Sequence, residues 1–379
     1  MNKTVEFYRH GLGGSEKKAV LKVLNSLFLT TGPQTAKFES VFAENLNRKY
    51  TVGLSSCTAA LHLACTANRI GPGDEVITTP LSYVATATSI LQAGAKPVFV
   101  DVDPLTGNIN EDLISAKINS RTKAVLPVHL YGMMCDMKKI SKLCRINNLK
   151  LIEDAAHCIE GVRDGIRPGE LSDHACFSFY ATKNMTCGEG GAITANSLKA
   201  AKLLKSLRSH GVSKEVQQRH GKNPGYFYDM KIFGWKYNLD DIKSSMMIPQ
   251  IAKLDIQLKK RQQIAAYYDS IFKNNSAIQM PAVVPNSTHA RHLYTIWVHP
   301  RKRNQILSQI LRSGIGAVIN YLPIHTLTYF SNKYKYKKKE FPEAERIGAS
   351  TISLPMYPAL TVDERKYVAM TVDRIVRKA

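Results

Sequence analysis

The feature that most constrains the fold is a regular alternation of short β-rich runs and longer helical segments from residue 15 to about residue 250. The β-rich runs are "YTVGLS" (50–55), "DEVITT" (74–79), "KPVFVDVD" (96–103), "TKAVLPVHL" (122–130) and "LKLIEDAA" (149–156). Each ends in polar or small residues, and the segments between them are long enough for helices. This rhythm predicts an α/β fold with a mostly parallel sheet covered on both faces.

The two ends of the chain differ from this alternation. Before the first run, 15–27 predicts a helix capped by Ser15, and 33–47 predicts a second helix that begins at Pro33. Residues 251–272 predict one long helix, after which strands and helices mix without regular order. We therefore expect a large domain over 1–252, a smaller α+β domain over 253–379, and a long helix that joins them.

Charge and cysteine usage narrow the functional class. The net charge of +22 is partly clustered in 332–340 and 301–303, which indicates a solvated basic loop or a surface that attracts polyanions or a diphosphate-bearing substrate. Zinc-finger spacing and RNA-binding motifs are absent, so nucleic acid is the weaker expectation and no metal site is expected. Without an apolar signal or spanning segment, and with seven cysteines that form no C-x-x-C pair, we expect a cytoplasmic protein with reduced thiols and no membrane contact.

An anion-binding turn is predicted after the first strand. In "LSSCTAALHLA" (54–64) the small residues Ser56, Cys57, Thr58 and Ala59 open a helix. Backbone N–H groups at a helix N-terminus attract anions, and small side chains let an anion approach. An ordinary N-cap with a small-residue turn explains the same pattern equally well.

An acid follows another apolar strand, in "LIEDAAH" (151–157). Asp154 is either a capping or ion-paired carboxylate, or it points into a site and pairs with a cationic ring nitrogen. A buried carboxylate needs such a partner because an isolated buried charge is costly. His157, three residues later, could orient a neighbouring phenolic oxygen.

A lysine stands between an aromatic strand and a glycine-rich turn. "ACFSFYATKN" (175–184) predicts a strand ending at Lys183, and "GEGGA" (188–192) then turns the chain tightly. A lysine out of bulk water has a lowered pKa and attacks aldehydes. An exposed lysine is the ordinary alternative, but with the anion turn and Asp154 the pattern predicts a pyridoxal phosphate (PLP) site, which needs a lysine and an acid partner.

The chain resembles the DegT/DnrJ/EryC1/StrS sugar aminotransferases, within fold type I of the PLP-dependent enzymes. Matching stretches run nearly end to end and in the family's order: "TTGPQTAKFE", "SSCTAALH", "GDEVITTPLSYVAT", "GAKPVFVDVD", "AVLPVHLYG", "IEDAAH", "FSFYATKN", "GEGGA", "KYNLDDI" and "YLPIH". The wording is most similar to enzymes that aminate the C4 keto group of UDP-linked sugars, as in 4-amino-4-deoxy-arabinose synthesis.

The resemblance implies a role for each matched residue. Lys183 holds the cofactor covalently, and Asp154 pairs with the pyridine nitrogen. His157 contacts the ring oxygen, and Tyr83 stacks on the ring. Thr58, its small neighbours and Ser178 hold the phosphate. Asn238 reaches the phosphate bound by a second subunit, which implies a homodimer with shared sites. An ordinary helix cap is the alternative for Asn238.

Substrate contacts are implied for Thr31 and Gly32 and for Tyr321 and His325 of "Y-x-P-x-H", although His325 also suits an ordinary loop position. The implied reaction moves an amino group from glutamate to a nucleotide-linked 4-ketosugar. Two positions depart from many relatives, Asn320 in place of His and Leu239 in place of Arg, and they leave the substrate open. Another lysine-based enzyme of this fold, or a regulatory or nucleic-acid-binding relative, remains an alternative.

Overall fold

The computed structural model describes residues 4–212 and 229–379. Its helices are α1 (Gly14–Leu24), α2 (Pro33–Asn45), α3 (Cys57–Ala67), α4 (Ala85–Gln92), α5 (Met137–Ile146), α6 (Leu198–Leu207), α7 (Asp241–Ile251), α8 (Leu254–Phe272), α9 (Arg303–Arg312), α10 (Thr328–Tyr334), α11 (Pro342–Ser350) and α12 (Val362–Lys378). Its strands are β1 (Tyr50–Leu54), β2 (Glu75–Thr78), β3 (Lys96–Phe99), β4 (Thr122–Leu126), β5 (Lys150–Asp154), β6 (Val162–Arg163), β7 (His174–Ser178), β8 (Gly191–Ala195), β9 (Ser287–Thr288), β10 (Tyr294–Trp297) and β11 (Thr351–Leu354).

A seven-stranded sheet forms the centre of the large domain, in the order β1-β8-β7-β5-β4-β2-β3. The neighbours β2–β3, β2–β4, β4–β5 and β5–β7 are parallel. Within this sheet, only β8 is antiparallel to both of its neighbours, β1 and β7. The sequence-based expectation of a mostly parallel α/β fold is confirmed, and the carboxyl ends of β1, β2, β4, β5 and β7 meet at one edge.

Helices cover both faces of this sheet because both faces of its strands are apolar. On one face lies α3, whose alanines and leucines are buried against β5, β7 and β8. On the other face, Phe38 and Phe42 of α2 pack edge-on against Phe177 and Phe179, with ring centroids 5.2–5.5 Å apart. Burial of such rings is a large part of the apolar free energy that holds a layer in place.

The C-terminal part has its own apolar core. Helices α8, α9 and α12 pack around the antiparallel pair β10–β11. Val5 also belongs to this core: it is fully buried, its N–H donates to the Gly314 carbonyl at 2.8 Å, and its own carbonyl accepts from Gly316 at 2.8 Å. The first described residues therefore pack with the C-terminal part, although the sequence pattern placed them in the large domain. The boundary near residue 252 stays a prediction.

Three element boundaries differ from the sequence-based expectation. The first helix is capped at Gly13, because the Glu16 carboxylate accepts the Gly13 N–H at 2.8 Å and Ser15 lies inside the helix. Strand β3 ends at Phe99, before the predicted end at 103. The long helix over 251–272 is interrupted, since α7 ends at Ile251 and α8 begins at Leu254.

Within residues 4–212 and 229–379, no helix carries an apolar stretch long enough to cross a membrane. The same residues contain no group of three or more His, Cys, Asp or Glu side chains placed to hold a metal ion. All seven cysteines are buried and unpaired, in agreement with the expectation of free thiols.

Candidate active site

A cavity of about 620 Å³ lies at the edge where the parallel strands end. Ligands of open α/β sheets bind beyond the carboxyl ends of strands, so this is the expected place for a site. Of the residues predicted from the sequence, the wall contains Ser56, Cys57, Thr58, Tyr83, Asp154, His157, Ser178, Lys183 and Tyr321. These residues come from segments up to 265 positions apart, and the central sheet together with the segment around Tyr321 brings them to one cavity.

The N-terminus of α3 forms one side of the cavity. Ser56 is its N-cap, and the Ser56 hydroxyl accepts the Ala59 N–H at 3.1 Å. The Ala59 N–H is thereby satisfied within the turn, while Cys57 and Thr58 line the cavity. A helix N-terminus offers unpaired N–H groups and a positive dipole end, which suits a phosphate. Burial raises the pKa of the Cys57 thiol well above its usual value, so it stays protonated.

Gly191, the first residue of β8, packs directly on this turn. A Cβ atom at Gly191 would lie 2.4–2.6 Å from backbone atoms of Ser56 and Cys57. Such a distance is far inside van der Waals contact, and backbone on both sides leaves no flexible group to yield. A glycine in "GEGGA" is therefore required by this close approach.

We expect Gly191→Ala to displace the start of α3, to lower the free energy of unfolding by about 1–3 kcal/mol, and to weaken PLP retention. Thermal unfolding and cofactor content after dialysis measure the two effects. Gly14→Ala is the matched control, because a Cβ at Gly14 meets nothing within 4 Å and alanine favours a helix. Unchanged stability and retention in Gly191→Ala would contradict the close packing.

Asp154 lies at the end of β5 and is almost completely buried. One carboxylate oxygen accepts from the Thr86 hydroxyl at 2.8 Å and the other from the Ala156 N–H at 3.1 Å. Thr86 is itself 2.9 Å from the Ser82 hydroxyl, which fixes its orientation. Burial raises the pKa of Asp154 despite these bonds. A cation in the cavity would reverse that rise, which is the environment a protonated pyridine nitrogen needs.

The sequence predicted that Lys183 ends a strand, and this prediction is wrong. Strand β7 ends at Ser178, and Lys183 lies in the following turn, where its N–H donates to the Tyr180 carbonyl at 2.9 Å. Phe179, the residue after β7, donates its N–H to the Gly190 carbonyl at 2.9 Å. Burial lowers the pKa of the Lys183 amino group from 10.5 to about 8, although the charge of the Asp154 carboxylate favours its protonated form.

This lowered pKa predicts the pH dependence of covalent PLP capture. Only the neutral amine attacks an aldehyde, so the capture rate should rise about tenfold per pH unit below pH 8 and level off above it. Mixing cofactor-free protein with PLP and following the visible absorbance measures this rate. A free lysine derivative, run in parallel, corrects for ionisation of PLP itself. A rate that continues to rise to pH 10 would contradict the lowered pKa.

His157 and two tyrosines form a further part of the wall. The His157 Nδ1 accepts the Tyr131 N–H at 3.3 Å, so its Nε2 carries the hydrogen and faces the Tyr321 hydroxyl at 3.1 Å. Burial and the Lys183 charge lower the pKa of His157 well below its usual value, which keeps the ring neutral. Tyr83 is 60% exposed, and its ring centroid is 6.1 Å from that of Tyr321.

Five predicted residues do not line this cavity, namely Ala59 within the α3 turn and Thr31, Gly32, Asn238 and His325. The Asn238 amide donates to the Thr31 hydroxyl at 2.9 Å, and the Gly32 N–H donates to Asp241 at 2.7 Å. The alternative that Asn238 is a helix cap is wrong, because Asp240 caps α7. None of Asn238, Thr31, Gly32 and His325 lines the cavity of its own chain.

His325, expected to contact the substrate, does not line the cavity of its own chain. His325 is buried, lies 3.4 Å from the Glu345 carboxylate and packs edge-on against Phe341 with ring centroids 4.8 Å apart. The imidazole ring packs against these aromatic side chains in the core. Of the motif "Y-x-P-x-H", only Tyr321 lines the cavity.

Several wall residues were not predicted from the sequence, namely Thr86, Tyr180, His292 and Asn320. Thr86 lies three residues after Tyr83, in the first turn of α4. His292 precedes strand β10 and carries no local signal. Its Nε2 lies 3.4 Å from the Lys183 amino nitrogen.

These residues fit PLP. The buried Asp154 carboxylate and the Lys183 amine line the same cavity, and the α3 turn at its wall offers backbone N–H groups. The cavity of about 620 Å³ is within the usual size of cofactor sites.

Known proteins with the same architecture carry this chemistry. The model of the DegT/DnrJ/EryC1/StrS aminotransferase family matches residues 11–373. The spore coat polysaccharide biosynthesis protein SpsC of Bacillus subtilis is 36% identical over 97% of this chain and 96% of its own length. Helicobacter pylori PseC, an aminotransferase involved in the biosynthesis of pseudoaminic acid, is 30% identical, with a TM-score of 0.92 over 100% of both chains.

Structures of the putative sugar aminotransferase Spr1654 from Streptococcus pneumoniae have been solved in a PLP form and a PMP form. Its PLP form is 28% identical to this chain, with a TM-score of 0.92 over 99% of both chains, and its PMP form has a TM-score of 0.93. The family match covers nearly the whole chain, and the cavity supplies the lysine and acid that PLP requires. The chain therefore belongs to the DegT/DnrJ/EryC1/StrS aminotransferase family and is a PLP-dependent sugar aminotransferase.

Proposed function

We propose that this enzyme transfers an amino group from glutamate to the C4 keto carbon of a nucleotide-linked 4-ketosugar, with UDP as the nucleotide. The observation that carries the proposal is a cavity that holds Lys183 and Asp154 and is bordered by polar groups. SpsC is described as a spore coat polysaccharide biosynthesis protein, and PseC as an aminotransferase involved in the biosynthesis of pseudoaminic acid. The product would serve a surface glycan or lipopolysaccharide, and the reaction would take place in the cytoplasm.

When bound, PLP supplies an aldehyde that carries the amino group and a ring that accepts electrons. The residues of this chain hold and move protons around it. The neutral Lys183 amine takes the proton from the α-carbon of the amino donor, and in the second half-reaction it delivers a proton to the former keto carbon of the sugar. Asp154 keeps the ring nitrogen protonated through its negative charge. His157, neutral and fixed by the Tyr131 N–H, offers a hydrogen-bond donor at its Nε2.

Polar atoms in the wall support a sugar as the acceptor. The Asn320 side-chain oxygen is buried without a hydrogen-bond partner, and Asn320 lines the cavity. An unpaired buried oxygen is costly, and a sugar hydroxyl would satisfy it. The net charge of +22 favours approach of a diphosphate-bearing substrate.

A mass-spectrometric screen tests the substrate class. The purified protein is incubated with glutamate and with UDP- or dTDP-linked 4-ketosugars, and each product is weighed. We expect exchange of the keto oxygen for an amino group in a UDP-linked 4-ketosugar, with 2-oxoglutarate as the second product. Conversion of dTDP-linked sugars alone would overturn the nucleotide assignment, and no amination of either class would overturn the acceptor class.

We also propose that two subunits share each site, with Asn238 serving the cavity of a second copy. Support comes from its position, because Asn238 bonds to Thr31 outside the cavity of its own chain. Thr31 and Gly32 would then approach the substrate of that second copy.

Mixing two inactive variants tests this arrangement. In a heterodimer of Lys183→Ala and Asn238→Ala, one site has both original residues and the other has neither if Asn238 acts across the interface. We expect activity to rise above the sum of the two separate variants after subunit exchange. No rise, in a mixture shown by native mass spectrometry to contain heterodimer, would place Asn238 outside the partner's site.

A further inference from the structure

A chain of buried polar side chains leads from the protein interior to the Lys183 amino group. The Arg261 guanidinium is paired with one oxygen of the Glu160 carboxylate. The other Glu160 oxygen accepts from the Asn184 amide nitrogen at 2.9 Å. The Asn184 oxygen lies 3.3 Å from Nδ1 of His292, and Nε2 of His292 lies 3.4 Å from Nζ of Lys183.

The hydrogen positions along this chain follow from what each group can do. The Asn184 amide nitrogen faces two acceptors, Glu160 and the Ala290 carbonyl at 3.0 Å, so its oxygen must face His292. An amide oxygen only accepts, so Nδ1 of His292 carries the hydrogen. In the neutral ring Nε2 is then the acceptor, and it faces Lys183.

Burial keeps His292 neutral. It lowers the pKa of His292 well below its usual value, and the charges of Lys183 and Arg261 act in the same direction. The His157 ring lies 4.5 Å from it, centroid to centroid. The His292 Nε2 lies 3.4 Å from the Lys183 amino nitrogen, so His292 is a neutral acceptor beside that amine.

We propose that His292 is a positioning residue, whose Nε2 accepts a hydrogen bond from the free Lys183 amine and whose tautomer is set by Asn184, Glu160 and Arg261. The inference rests on the proposed role of Lys183 in transamination. The amine is free whenever the amino donor or the sugar has displaced it. A hydrogen bond to Nε2 then holds one N–H of the amine and leaves its lone pair available for the proton in transfer.

The tautomer can be observed directly in the full-length, cofactor-free protein. Nitrogen NMR of protein labelled at its histidines distinguishes a protonated Nδ1 from a protonated Nε2, and loss of one signal set in His292→Gln assigns it. We expect the hydrogen on Nδ1 of His292. A hydrogen on Nε2, or a doubly protonated ring at neutral pH, would overturn the proposal.

A second measurement tests the bond to Lys183 without any catalytic turnover. Competitive acetylation of cofactor-free protein over a range of pH, read by mass spectrometry of the Lys183 peptide, gives the pKa of that amine. His292→Phe removes an acceptor that favours the ammonium form, so we expect the pKa to fall by about one unit. His292→Gln places a carbonyl oxygen in the same region and should restore most of the shift.

His62→Phe is the matched control, since His62 is also buried but lies outside the cavity wall. We expect it to leave the Lys183 pKa unchanged. In the loaded enzyme, His292→Phe should slow the glutamate half-reaction about tenfold at unchanged cofactor content, and His292→Gln should recover it. An unchanged pKa in His292→Phe would overturn the inference, whereas failure of wild-type protein to react with any amino donor would overturn the proposed function.

Discussion

Lys183→Ala is expected to lower the rate of the glutamate half-reaction by at least about 10³-fold, because both the covalent attachment of the cofactor and the proton transfer are lost. No other lysine lines the cavity of the described chain. The half-reaction is measured in a single turnover, from the loss of the visible absorbance of PLP. Wild-type protein treated with borohydride should carry the cofactor on the peptide that contains Lys183, and the variant should carry none.

The control for this prediction is Lys139→Ala. Lys139 is half-exposed and paired with Asp112 on the surface, so its removal changes the charge without touching the cavity. We expect the control to retain the wild-type rate. If the borohydride label in wild-type protein maps to a different lysine, the assignment of Lys183 is wrong.

Asp154→Asn is expected to slow the glutamate half-reaction by about 10²–10³-fold. Asparagine has nearly the same shape, but a neutral amide does not favour a protonated pyridine nitrogen, so the ring accepts electrons less well. Single-turnover rates at saturating PLP measure the effect, and the absorbance of the bound cofactor reports ring protonation. An unchanged rate would exclude Asp154 as the acid partner.

The stability of the same variant separates this effect from damage to the fold. The Asp154 carboxylate is buried, and its pKa is raised by that burial, so replacing it by a neutral amide removes a desolvation cost. We expect cofactor-free Asp154→Asn to unfold at the wild-type temperature or above it. Asp112→Asn, which removes a carboxylate that is 73% exposed, is the matched control and should change neither property.

Much of this site is predictable from the sequence because its residues follow strand ends. Ser56 follows β1, Asp154 ends β5 and Ser178 ends β7, and parallel strands bring such ends to one edge. The alternation of β-rich and helical segments shows this order without any knowledge of side-chain packing. The confirmed fold, the turn at α3, Asp154 and Lys183 depend on that local information, whereas Tyr83 and Tyr321 were implied by the family resemblance.

The remaining features depend on contacts between distant segments. His292 contacts Lys183 although the two residues are 109 positions apart in the sequence. No local pattern around "RHLYT" predicts this contact. His325 carries a plausible motif, but the aromatic ring of Phe341 packs against it inside the core. Asn238 and Thr31 form a hydrogen bond to each other and do not line the cavity of their own chain. Their proposed role therefore depends on a second subunit.

The position of Val5 within the C-terminal core has a consequence for folding. Its backbone partners, Gly314 and Gly316, lie more than 300 positions away along the chain. Contacts between such distant segments form slowly because a long loop must close first, so we expect the central sheet to assemble before this contact forms. A bulky fusion at the amino end would therefore burden the final closing step rather than assembly of the sheet.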